Sequence, residues 1–225
     1  MKRRLVLGLT LAAMVLGART AGSFGQGSEP SFSPSIEAHA VGVRAGGCSL
    51  VDDLGSGVIV GRDMVLTSAH VVAGATDIRV VVDGREVSAR VDTFDPEADL
   101  ALLLAEAPGP PAVVVKAPLD ADVVVVAWTP DDGLRRYRTR VTRRLLVTIE
   151  DIYIDALTER QAIELATSLE RGTSGAGVFD RDGRLVGVVY GSSRDREASF
   201  ALDAPALQRL IEDSDGEPSP HGRCV

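Results

Sequence analysis

Residues 171–191 read "RGTSGAGVFDRDGRLVGVVYG" and place Ser174 between Gly172 and Gly175. Two short apolar runs follow, parted by Asp182-Gly183, a dipeptide that supplies the positive φ a tight hairpin needs. The stretch is therefore loop, strand, turn, strand. Glycines crowd a serine in ordinary turns, and they also crowd a nucleophile whose backbone must meet a substrate. The choice between the two depends on whether the rest of the chain supplies a base, an orienting acid and a matching fold.

Moving outward, the same grammar repeats from Val41 to about Gly191. "GSGVIVG", "MVLTSAHVV", "DIRVVVDG", "REVSARVDTF", "DLALLLAEA", "AVVVK" and "DVVVVAWT" are short apolar runs, and Asp83-Gly84 and Asp132-Gly133 add two more hairpin signals. Valine is abundant, which favours strands. Residues 160–170 carry a helix-like pattern but precede the glycine loop, so strand plus loop is the competing reading. An amphipathic helix is expected only at "DAPALQRLIED", with Asp203 as cap, Pro205 in the first turn and Leu207, Leu210 and Ile211 facing inward. Regularly spaced strands with one terminal helix predict an all-β sandwich or barrel. Aromatic residues are 4% against 45% hydrophobic overall, so the core must be aliphatic.

The N-terminus, "MKRRLVLGLTLAAMVLGARTAGS", has a basic start and an apolar run too short for an ordinary membrane span. Residues 1–22 are expected to be a signal peptide, with an uncleaved anchor as the alternative. Residues 23–40, rich in Ser, Gly and Pro, are expected to form a flexible linker. Cleavage would remove Lys2, Arg3, Arg4 and Arg19 and take the formal charge from −8 to −12. So acidic a protein repels phosphate backbones, which argues against nucleic-acid binding. No later segment is long and apolar enough to span a membrane. The two cysteines, Cys48 and Cys224, suit an oxidising compartment. An intramolecular bridge would tie the tail, residues 214–225, to the first strand; unpaired thiols or a bridge to another chain are the alternatives.

Acyl transfer needs a nucleophile, a base to take its proton and an acid to hold that base in one tautomer. Of the three histidines, His39 falls in the expected linker and His221 in the tail. His70, in "VLTSAHVVAG", ends an apolar strand among small residues, where a sheet holds the backbone and leaves the ring free. A hydrogen-bonded core histidine is the plain alternative. Asp99 opens the aliphatic run of "DPEADLALLLAEA", with Asp95 and Glu97 as competitors. An α/β-hydrolase elbow would need G-x-S-x-G with acid and histidine after the serine. Here Ala176 stands at the last glycine position and only His221 follows, so that fold is excluded.

The order His70, Asp99, Ser174 and the segments "GSGVIVGRDMVLTSAHVV", "DPEADLALL" and "RGTSGAGVFDRDGRLVGVV" resemble the chymotrypsin-like serine peptidases. Within them the chain is most similar to the bacterial HtrA-type trypsin-like peptidase domain. The resemblance covers about residues 41–213. It implies two perpendicular six-stranded antiparallel β-barrels with a short C-terminal helix, and an exported serine endopeptidase acting on protein or peptide substrates without cofactor or metal. It implies His70 as base, Asp99 as its orienting acid, Ser174 as nucleophile, and the amides of Gly172 and Ser174 as oxyanion hole. A Cβ at Gly172 is expected to obstruct that loop. Ser168, six residues before the serine, is implied at the base of the specificity pocket, with Tyr190, Gly191 and Ser192 along one wall. No acid lies at that base, so a small or medium apolar residue is the expected preference.

The family usually has Asp or Asn before the serine and two glycines after it; here stand Thr173, Gly175 and Ala176. Without an acid at Thr173, activation by pairing with a new N-terminus is not expected, and the loop is left with less support. A catalytically silent or gated protein of this fold that binds a protein partner is the alternative function, and an esterase on the same fold is a third. Too few residues follow the expected domain for a PDZ module, so none is expected. The run "LRRYRTRVTRR" packs six arginines into residues 135–144; it reads as a solvated hairpin paired with local acids or, alternatively, as a dock for an acidic partner. The sequence sets no oligomeric state, and export could end in a periplasm, at the envelope or outside.

Overall fold

The computed structural model describes residues 31–193 and 195–225. The expected signal peptide and residues 23–30 of the expected linker lie outside them. Six strands close a first antiparallel barrel: β1 (Ala40–Gly46), β2 (Asp53–Gly61), β3 (Met64–Thr67), β4 (Asp77–Val82), β5 (Arg85–Asp95) and β6 (Leu100–Leu104), in the order β1-β2-β3-β6-β5-β4. Six more close a second: β7 (Asp122–Thr129), β8 (Gly133–Glu150), β9 (Leu157–Leu165), β10 (Gly177–Phe179), β11 (Leu185–Ser192) and β12 (Ser199–Asp203), in the order β10-β11-β12-β9-β8-β7. Closure gives every strand a neighbour on both sides, and the β8–β9 hairpin extends beyond the barrel, where residues 157–161 pair with β8 alone. The β4–β5 hairpin turns at Asp83 and Gly84, both with positive φ (49° and 74°).

Runs such as "DVVVVAWT" carry no apolar/polar alternation because both faces of these strands are buried. Val123, Val125 and Ala127 of β7 point into the second barrel, while Val124 and Val126 point into a core shared by both barrels. In β6 the division repeats: Ala101 and Leu103 fill the first barrel, and Leu100 and Leu102 enter the shared core. The C-terminal helix α2 (Ala204–Glu212) adds Leu207 and Leu210 to that core, capped by Asp203 as expected, with Ile211 only half-buried. Each barrel thus has its own aliphatic core, and a third core welds the two together.

One expectation is corrected here. Residues 36–39 form a 3-10 turn rather than flexible linker, with Ile36 fully buried in the shared core. His39 Nδ1 donates to Pro110 O at 2.8 Å and its ring stacks on Phe179. Burying one isoleucine is worth about 1.5–3 kcal/mol, enough to order a short polar stretch. The tail is anchored as well: Ser219 N donates to Val91 O, Gly74 N to His221 O, and Cys48 and Cys224 form a disulfide beside β1. The arginine run lies on β8, where Arg135, Arg136, Arg140, Arg143 and Arg144 pair with Asp132, Glu37, Asp122, Glu164 and Asp203. Of these partners only Asp132 is local to the run; Glu37 and Asp203 come from distant parts of the chain, and Asp203 is buried.

Candidate active site

β3 runs into a single helical turn, α1 (Ala69–Val72), through an extended Ser68. Ala69, Val71 and Val72 are buried and pin the turn, which leaves the His70 side chain about one-third exposed. Asp99, just before β6, has a left-handed φ of 60°, a conformation that aspartate adopts more readily than most residues. Its buried carboxylate accepts from the His70 backbone N–H at 2.9 Å and lies 3.0 and 2.8 Å from Nδ1 through its two oxygens. A carboxylate can only accept, so Nδ1 carries the proton and neutral His70 keeps its lone pair on Nε2. The competitors have other work: Asp95 accepts from Ala98 N in a turn, and Glu97 is exposed.

Burial pulls the His70 pKa down, yet the hydrogen bond and charge of Asp99 outweigh it and hold the imidazole above its ordinary value. Asp53 adds to the rise, and the Arg160 cation opposes it.

Ser174 sits between β9 and β10 on a loop fixed mainly by its backbone. Ser56 N donates to Ser174 O at 2.8 Å, and Thr173 Oγ1 donates to Glu170 O at 2.8 Å, so Thr173 braces this loop from a buried position. Val189 O accepts from both Gly175 N (2.8 Å) and Ser68 Oγ (3.0 Å). One carbonyl therefore ties the residue after Ser174 to the residue two before His70. Gly175 has φ 81°, and a Cβ there would lie 2.0 Å from Ser56 O, so only glycine fits. Gly172 also has positive φ (90°), but nothing lies within 4 Å of a Cβ position; its backbone angle, not the expected obstruction, is what calls for glycine. Among the described residues, neither the Gly172 nor the Ser174 amide donates to a protein acceptor, and no hydrogen bond joins Ser174 Oγ to His70.

The expected pocket residues are less unified. Ser168 is exposed, so it does not floor an enclosed pocket; the loop buries Leu169 beside it. Ser192 Oγ donates to Leu169 O, and Gly191 has open space where a Cβ would project. Tyr190 lies beneath the Arg160 guanidinium, 5.4 Å from ring centroid to Cζ, and against Phe200. A groove of about 680 Å³ opens beside Gly172, lined also by Leu54, Trp128, Thr129 and Arg171. No group of three or more potential metal ligands occurs among the described residues.

Sequence reasoning overlooked Ser56, Thr67, Ser68 and Arg160. Ser56 is fully buried: its N–H holds Ser174, its O accepts from Thr67 Oγ1, and its Oγ accepts from Trp128 N at 2.8 Å. The available signal was small hydroxyl residues inside otherwise apolar runs, "GSGVIV" and "VLTSAH", where a polar group needs a partner. His221, from the tail, donates through Nε2 to Ala75 O and takes no part in the site.

The chain matches the family model described as a trypsin-like peptidase domain over residues 55–188, a span that holds His70, Asp99 and Ser174. Serine protease Rv3671c of Mycobacterium tuberculosis is 31% identical over 177 residues, covering 76% of this chain and 45% of that protein. The periplasmic serine endoprotease DegP of Escherichia coli is 30% identical over 170 residues, covering 72% and 35%. The chain thus spans less than half the length of these curated relatives. Among solved structures, the active form of the Rv3671c protease superposes with a TM-score of 0.79 at 28% identity, covering 87% of this chain and 93% of that one. Its inactive form gives 0.70 at 28% identity, covering 83% and 98%. With the family match spanning more than half of its residues, the chain belongs to the trypsin-like peptidase domain family.

Proposed function

We propose that this protein is an exported serine endopeptidase. His70 Nε2 takes the proton of Ser174 Oγ as that oxygen attacks the scissile carbonyl, and Asp99 stabilises the resulting imidazolium. The carbonyl oxygen gains the negative charge and is held by the Gly172 and Ser174 amides. Collapse expels the leaving amine with the proton from His70 and leaves an acyl-enzyme. Water activated by His70 then releases the acid product and regenerates Ser174. The observation that carries this reading is the Asp99–Nδ1 contact, which leaves Nε2 as the acceptor on a histidine whose turn is tied, from Ser68 through Val189 O, to the serine loop. The two amides without protein acceptors suit an oxyanion, and Thr173 braces the loop through Glu170 O where the family usually places an acid or amide. The substrates are proteins or peptides. Export is supported by the basic-apolar N-terminus and the disulfide.

A second reading, a silent or gated protein of this fold that binds a protein partner, is favoured by one observation: the missing Ser174–His70 hydrogen bond. Such bonds are often long in unliganded enzymes and tighten with substrate, so the peptidase reading is preferred. A fluorophosphonate probe applied to the folded mature protein separates the two. Labelling of the wild type and its loss in Ser174→Ala is the expected result; no labelling of well-folded wild type selects the binding protein. Cleavage of an unfolded protein substrate then separates a peptidase from an esterase.

A further inference from the structure

We propose that Arg160 is a positioning residue for the His70–Asp99 pair, reaching from the second barrel to fix the carboxylate of the first. The proposal rests on the peptidase reading above. Arg160 stands on β9, and its side chain is only 4% exposed. A buried guanidinium is costly unless its charge and its N–H groups are met. Nε donates to Glu97 O at 2.6 Å, Nη2 to Glu150 O at 3.3 Å, and Nη1 lies 4.0 Å from Asp99 Oδ2. The Tyr190 ring covers the cation from β11.

These contacts do two things. The bond to Glu97 O grips the loop two residues before Asp99, where the backbone must hold an unfavoured left-handed turn. A rigid link from β9 keeps that turn in place as His70 gains and loses a proton. The cation also faces the carboxylate, whose oxygens are both committed to His70. It therefore offsets part of the attraction by which Asp99 stabilises the imidazolium. The other charge acting on the ring is Asp53 from β2, which acts with Asp99; Tyr190, packed under Arg160, is kept neutral by burial. Arg160 alone among them opposes protonation of His70, and it leaves the base free at lower pH than two carboxylates would allow.

The test reads His70 directly, by NMR titration of the imidazole in a Ser174→Ala background, together with the pH dependence of fluorophosphonate labelling in the active protein. Arg160→Gln is expected to raise the His70 midpoint by about one pH unit and to shift the rising limb of labelling upward in parallel. At a pH below both midpoints its labelling should fall about tenfold, the fold-change a one-unit shift gives. Arg160→Lys keeps the charge without the two-carbonyl grip, so its midpoint should stay near wild type while labelling still slows severalfold. An unchanged or lowered midpoint in Arg160→Gln overturns the proposal. If Arg160→Gln does not fold, Arg160→Lys decides: slowed labelling with an unmoved midpoint supports the brace, and wild-type labelling overturns it. Failure of the wild type to label defeats the peptidase reading instead, because the His70 titration is readable either way.

Discussion

The first barrel presents His70 and Asp99 through side chains and charge, whereas the second presents Ser174 through backbone hydrogen bonds and glycine geometry. In the first half a buried carboxylate in a left-handed turn meets an imidazole at 2.8 Å, with an arginine 4.0 Å behind it. In the second, Ser174 O, Gly175 N and Thr173 Oγ1 each take one fixed partner, and the Ser174 hydroxyl is joined to no histidine. Under the proposed peptidase mechanism the difference follows from the chemistry each half would do. A base has to change charge during turnover, so electrostatic surroundings suit it. A nucleophile and its oxyanion amides have to be aimed, so steric and directional surroundings suit them.

Breaking the electrostatic half should have the largest effect. Asp99→Asn keeps the shape but lets the wrong tautomer form, so turnover should fall roughly 10⁴-fold, far more than the loss of stability from leaving buried Arg160 without its counter-charge. Hydrolysis rates measured beside a thermal melt check this; a matching loss of stability would mean that Asp99 is mainly structural. Breaking the steric half should act the other way, on the fold first. Gly175→Ala combines a positive φ with a methyl 2.0 Å from Ser56 O, and should cost about 2–5 kcal/mol in denaturant unfolding. Survival at wild-type stability would show that the loop can move.

A milder change sharpens the contrast. Ser56→Ala leaves the half-buried Trp128 N–H without its 2.8 Å acceptor, so stability should drop by about 1–2 kcal/mol. Labelling should slow while the pH limb stays in place, because no charge near His70 has changed. The smallest effect is that of pH itself. With its pKa above the ordinary value of about 6.5, His70 should make kcat/KM rise with pH and level off only once that higher value is passed. The stability it contributes runs in the opposite sense. It is complete below the unfolded-state pKa and is lost as pH rises through the folded one. Melts at pH 5.5 and 8.5, compared between wild type and His70→Gln, should show this loss in the wild type only.

Much of this was legible because it is local. Strand runs, the Asp-Gly hairpins and the capped terminal helix each depend on residues within a few positions of one another. Asp99 could be singled out over Asp95 and Glu97 because it abuts the apolar run, and the carboxylate closest to a buried strand is the one held out of water. Ile36 was missed because Ser and Pro around it suggested a linker, and composition does not register a single anchoring side chain. Ser168 was assigned by counting along a loop, where spacing says little about which way a side chain turns.

By itself, the sequence determined an all-β chain with an aliphatic core, a glycine-flanked serine loop and the residues His70, Asp99 and Ser174 in that order. Those properties rest on periodicity, turn chemistry and residue type. Only the tertiary structure decided that Ser56 and Ser68 brace the serine loop, and that Arg160 of the second barrel lies behind Asp99 of the first. The partners of those contacts stand 61 to 121 residues apart. They meet because both barrels close and share a core, and no local pattern along the chain encodes that closure.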